Sequence, residues 1–99
     1  MTNFQPAEVS LDSYLVVASD QITSQLGDES VILSLNDGMY YGLDPIGTRI
    51  WSLLDRPREV REICGVIEEG YEVGPAECEQ AVLALLRDLI ARGLVEIHQ

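Results

Sequence analysis

Residues 30–51 run Ser30-Val31-Ile32-Leu33-Ser34-Leu35-Asn36-Asp37-Gly38-Met39-Tyr40-Tyr41-Gly42-Leu43-Asp44-Pro45-Ile46-Gly47-Thr48-Arg49-Ile50-Trp51, and within them the apolar period changes from two to about 3.6. Val31, Leu33 and Leu35 alternate with Ile32 and Ser34, which describes a strand. Asn36-Asp37-Gly38 then supplies turn chemistry, because Gly38 can take a positive φ at no steric cost. Met39 to Leu43 is the returning strand. Directly afterwards Asp44 can accept from the orphan amides of a helix whose first position is Pro45, where φ is already set and the missing N–H costs nothing. Ile46, Ile50, Trp51, Leu53 and Leu54 form the apolar face of that helix. A hairpin feeding straight into a capped helix places the chain in the α+β class.

Upstream, Tyr14 to Ala18 has the β-branched and aromatic content of a strand, and Ile22, Ser24 and Leu26 sketch a weaker one before Gly27. Residues 1–13, with Pro6 and no periodicity, are expected to form a flexible arm, leaving 14–97 as the domain. Downstream, Asp55-Arg56-Pro57 ends the first helix, and Pro57 is expected to open the second. Val60, Ile63, Cys64 and Ile67 mark the second helix and Gly70 its cap. Gly74-Pro75 restarts the pattern, with Glu77 and Glu79 early, Arg92 late and Gly93 beyond, as the helix dipole prefers. Leu94 to Ile97 reads as a short strand that returns to the sheet. The expected fold is winged-helix-turn-helix-like: a small N-terminal antiparallel sheet of about three strands, then three helices.

Composition narrows the function. At 46% hydrophobic and 23% charged residues, the 99-residue chain is that of one ordinary globular domain. It contains no apolar run of roughly 20 residues and no signal-peptide pattern at its start, so a cytoplasmic protein is expected. Seventeen acids against six arginines, with no lysine, give a formal charge of -11, which removes long-range attraction to nucleic acid or an anionic membrane and favours a basic partner.

Chemistry-bearing residues are few. His98 is penultimate, while Cys64 and Cys78 fall in apolar stripes as small buried hydrophobes outside any CxxC or Cys/His pattern. The acids at helix ends solvate those ends. No Gly-rich phosphate loop, metal cluster or nucleophile-base set is present, so no catalytic residue, metal or cofactor is expected and the chain reads as a non-enzyme.

Two features point to binding. On a wheel of about 100° per residue, Cys78, Val82, Leu85, Leu86 and Leu89 share one arc of the third helix, and Leu83 and Ile90 form a second stripe beside it with Glu79 and Arg87. That stripe is either more core or one wall of a groove. The strand Met39-Tyr40-Tyr41-Gly42-Leu43 carries no lysine, proline or charge to blunt an edge. Unless Leu94 to Ile97 or the N-terminal strand covers it, a guest strand can add there.

The stretch VILSLNDGMYYGLDPIGTRIW, a helix holding REVREI, the EEGYEV turn and a last helix running LLRDLIARGLVEI together resemble the PqqD-like family, the peptide-recognition domains of pathways that modify ribosomally made peptides. About two-thirds of the chain is covered, and Asp44 stands where the family usually has Asn, which keeps the cap. The resemblance implies a non-catalytic adaptor that binds the leader segment of a precursor peptide as an added strand and hands it to a modifying enzyme. Carried over by position, it implies peptide contacts at Met39, Tyr40, Tyr41, Gly42 and Leu43 and at Glu79, Leu83, Leu86, Arg87 and Ile90. The chain most resembles the discrete leader-binding proteins of lasso-peptide clusters, whose partner is a separate leader peptidase. A winged-helix transcription regulator and a small homo-oligomeric scaffold subunit are the competing readings.

Overall fold

The computed structural model describes residues 9–98. The hairpin region is a three-stranded antiparallel sheet of β2 (Gln21–Leu26), β3 (Glu29–Ser34) and β4 (Tyr40–Leu43), with β3 central. Gly27 and Gly38 make its two turns at φ of 67° and 71°, a region costly for any residue with a Cβ. Alternation sends Ser30, Ile32 and Ser34 inward, where all three are buried. The buried hydroxyls are not orphaned: Ser30 and Thr48 hydrogen-bond to each other at 2.8 Å. Thr48 belongs to α1 (Pro45–Ser52), so this bond ties the first helix under the sheet. Trp51 does the same from the other end of α1, donating from Nε1 to Thr23 Oγ1 at 3.1 Å. The start of α1 is fixed as expected, with the Asp44 carboxylate accepting from the Gly47 amide at 2.7 Å.

The first strand does not extend this sheet. Instead β1 (Tyr14–Val17) is the centre of a second antiparallel sheet, flanked by β5 (Arg58–Glu59) and β6 (Val95–His98). The C-terminal strand therefore returns to β1 and leaves the hairpin alone. Pro57 does not open a helix. After a single 3-10 turn at Leu53–Asp55 the chain runs extended, pairs Arg58 and Glu59 with β1, and enters α2 (Val60–Gly70) only at Val60.

The cause lies in the supposed arm. No side chain caps α2; the Val60 amide donates to Ser13 O at 2.9 Å and the Arg61 amide to Leu11 O at 3.0 Å. Asp12 adds an ion pair to Arg61 at 2.6 Å, and Val9 is 5% exposed within the core. Residues 9–13 are thus built into the domain, and residues 1–8 lie outside the described residues. After α2, α3 (Pro75–Ala91) crosses back. It ends where Gly93, at φ 74°, donates to Ile90 O and Leu94 donates to Leu89 O, turning the chain into β6. One core, including Leu15, Ile32, Leu54, Ile63, Leu86 and Leu89, joins both sheets to the helices.

Candidate peptide-binding groove

In its sheet β4 is the last strand, and among the described residues no other strand pairs with its outer side. Neither segment that could have covered it does so, since β1 and β6 pair with each other. The ladder phase identifies the groups left free. Ser34 donates to Met39 O at 2.9 Å, so Ser34 and Met39 face each other across a bonded position. Antiparallel alternation then makes Ile32 with Tyr41 the next bonded pair and turns the N–H and C=O of Tyr40 and Gly42 outward.

Below this edge lies a cavity of about 460 Å³, within the size range of ligand sites. Its walls are Tyr41 to Leu43 of β4, Ile46 and Ile50 of α1, and Cys78, Ala81, Val82 and Leu85 of α3. Its floor is apolar because each wall contributes the inner stripe of an amphipathic element. At Gly47 the helix comes close to the strand: a Cβ there would stand 3.2 Å from Leu43 Cδ2. The opposite end is tied by a three-residue clasp. The Tyr41 hydroxyl donates to Asp88 Oδ2, Arg92 Nε donates to Asp88 Oδ1 at 3.3 Å, and the Arg92 guanidinium sits 4.4 Å from the centre of the Tyr41 ring.

The structure brings together only part of the expected contact set. Met39 to Leu43 lie on the open edge, with Met39 and Tyr40 61% and 71% exposed. Glu79, Leu83, Leu86, Arg87 and Ile90 do not line the cavity. Leu86 is fully buried, and Leu83 and Ile90 are partly buried against the core. From Val82 they lie about 40 to 140° to one side at 100° per residue, whereas Ala81, Leu85, Asp88 and Arg92 lie about 60 to 120° to the other. The sheet stands on that other flank. Ala81, Leu85, Asp88 and Arg92 are spaced i, i+4, i+7, i+11, a stripe visible in the sequence but hidden by its mixed polarity. With Arg92 held by Asp88 and Tyr41, Arg87 is the only cation of α3 outside such a contact among the described residues, too little for a nucleic-acid face.

The two thiols are not poised for chemistry. Burial, reinforced by each other and by Glu68 and Glu79, pushes Cys64 up to about 11, and burial raises Cys78 as well. Both stay protonated at neutral pH.

A family model described as coenzyme PQQ synthesis protein D (PqqD) matches residues 29–95. The chain belongs to the PqqD family. In this PqqD-family chain the matched stretch begins with β3 and includes β4 and all three helices, so it contains every wall of the cavity. The chain is also similar to the solved structure of TbiB1 in complex with the TbiA(beta) leader peptide, at 33% identity and a TM-score of 0.78, over 85% of this chain and 98% of that one. No curated protein matches it.

Proposed function

We propose that the chain is a non-catalytic recognition module that takes the leader segment of a ribosomally made precursor peptide as an added strand on β4 and presents it to a modifying enzyme. The observation that carries this reading is an unpaired strand edge fronting an apolar cavity in a chain similar to a protein solved with a leader peptide. A guest strand would meet the outward groups of Tyr40 and Gly42, and every second guest side chain would drop toward Leu85 and Ile50. Backbone bonds at a net value of about 0.5 to 1.5 kcal/mol each, plus one or two buried side chains at about 1.5 to 3, less the ordering cost, correspond to micromolar or somewhat tighter affinity. The charge of -11 favours a leader carrying lysines or arginines.

The enzyme served, on this reading, is a separate leader peptidase of a lasso-peptide pathway, and the place of action is the cytoplasm. No helix among the described residues is long and apolar enough to cross a membrane. The test is a fluorescence-anisotropy titration of labelled synthetic leader segments of lasso-peptide precursors. Saturable micromolar binding that weakens about tenfold in Gly42→Pro supports strand addition. Absence of binding to the folded wild type at 100-fold higher concentration ends the proposal.

A further inference from the structure

The face of the β2–β3–β4 sheet turned away from the core is apolar and nothing among the described residues covers it. Register places Ile22, Leu33 and Tyr40 in one row across the three strands, with Ser24, Val31 and Gly42 in the next. Leu26 lies beyond, opposite Glu29, and Leu35 continues β3 outward. Of these, Ile22 is 53% exposed, Leu35 55%, Leu26 68% and Tyr40 71%. A solvated antiparallel sheet ordinarily turns polar side chains outward, and a contiguous apolar patch with a polar rim marks an interaction surface.

The rim is predominantly acidic. The first basic side chain in the sequence is Arg49, so no cation lies in these strands or their turns, whereas Asp20, Asp28, Glu29 and Asp37 all do. Arg92, held by Asp88, comes up beside Asp37 and Tyr40. This excludes an anionic lipid surface. It also disfavours a second copy, since a two-fold pairing of this face would set Asp20 and Glu29 against acids of the same patch. The patch is continuous with the candidate groove through Tyr40, whose side chain lies on this face while its backbone faces the open edge.

Resting on the function proposed above, we infer that this outer face is the docking surface for the enzyme that works on the captured peptide, a protein whose own contact patch is apolar at its centre and ringed by arginine and lysine. An enzyme seated there lies beside the guest strand. The salt dependence of its association follows from the mainly acidic rim.

The probe is a purified leader peptidase of a lasso-peptide pathway, followed by biolayer interferometry with leader present, while leader anisotropy is read separately. Ile22→Arg with Leu35→Arg should weaken enzyme capture on the order of tenfold or more and leave leader affinity within about twofold. Asp20→Lys with Glu29→Lys should weaken it too and flatten its salt dependence. Leu35→Ser, which trims a half-exposed side chain without adding a charge, serves if the arginines disturb the fold. Enzyme binding that is absent from wild type, or equal in wild type and the variants, overturns the inference. So does wild-type dimerisation in sedimentation that Ile22→Arg with Leu35→Arg abolishes. Loss of leader binding in wild type would instead strike the proposed function, which keeps the two failures apart.

Discussion

The central strands β1 and β3 each hold one fully buried residue at the core, Leu15 and Ile32, yet their surroundings differ. Around β1 everything is closed: β5 and β6 pair on its two sides, residues 9–13 cap α2 beside it, and Gly93 folds the chain back onto it. β3 is paired on both sides as well, by β2 and β4, but one face of its sheet is bare and the cavity opens beneath β4. On the function proposed above, the contrast assigns cohesion and recognition to different sheets, so substitutions should separate into those that unfold the domain and those that only disarm it.

The largest expected effect tests the closed side. Leu15→Ala should cost about 2 to 5 kcal/mol in urea unfolding, because the cavity it leaves lies where strands and helices all meet. Ile22→Ala, exposed on the open sheet, should stay within about 0.5 kcal/mol. Equal losses at both positions would erase the distinction between the sheets. Next comes the flank of α3: Leu85→Asp should weaken leader binding on the order of ten- to a hundredfold in the folded fraction, whereas Leu83→Asp should leave that affinity unchanged. Both side chains pack partly against the core, so both variants should also lower the melting temperature. If Leu83 proved the binding residue, the groove would be on the wrong side of the helix.

A smaller effect sharpens the edge. Gly42→Pro deletes an outward amide and no bond within the sheet, so affinity should fall about tenfold, as one or two hydrogen bonds predict. Gly42→Ala, with open space around its Cβ, should change it little. The smallest effect concerns the interior. Both thiols titrate higher in the folded chain than the usual value of 9.0. Their contribution to stability is complete below about pH 9 and is lost as pH rises through about 11 for Cys64. Denaturant midpoints should decline over that window, and Cys64→Val should flatten the decline.

What could be read from the sequence was local. Asp44 with Pro45 and Asn36-Asp37-Gly38 act through neighbours a few residues away, so the helix start and the turn were legible without any tertiary knowledge. The strand Arg58–Glu59 was not, because its two residues have no strand signature and are extended only by pairing with Tyr14 and Leu15. Likewise nothing in Val9 to Ser13 announces that their carbonyls will cap a helix almost fifty positions later. The groove was legible on β4, where an unblunted edge is a property of the strand itself. On α3 periodicity separated the core arc from its flanks, but which flank meets the sheet depends on how the helix is set down, and that is decided by contacts of α3 with α2 and β6.

The four residues of β4 offer a guest only about 13 Å of ladder at roughly 3.3 Å per residue. With an association rate of about 10⁶ M⁻¹s⁻¹ and a dissociation constant near a micromolar, a strand held there leaves in about a second. So brief a residence lets one copy serve many precursors in succession, and it sets a clock within which any chemistry on the bound peptide must be finished.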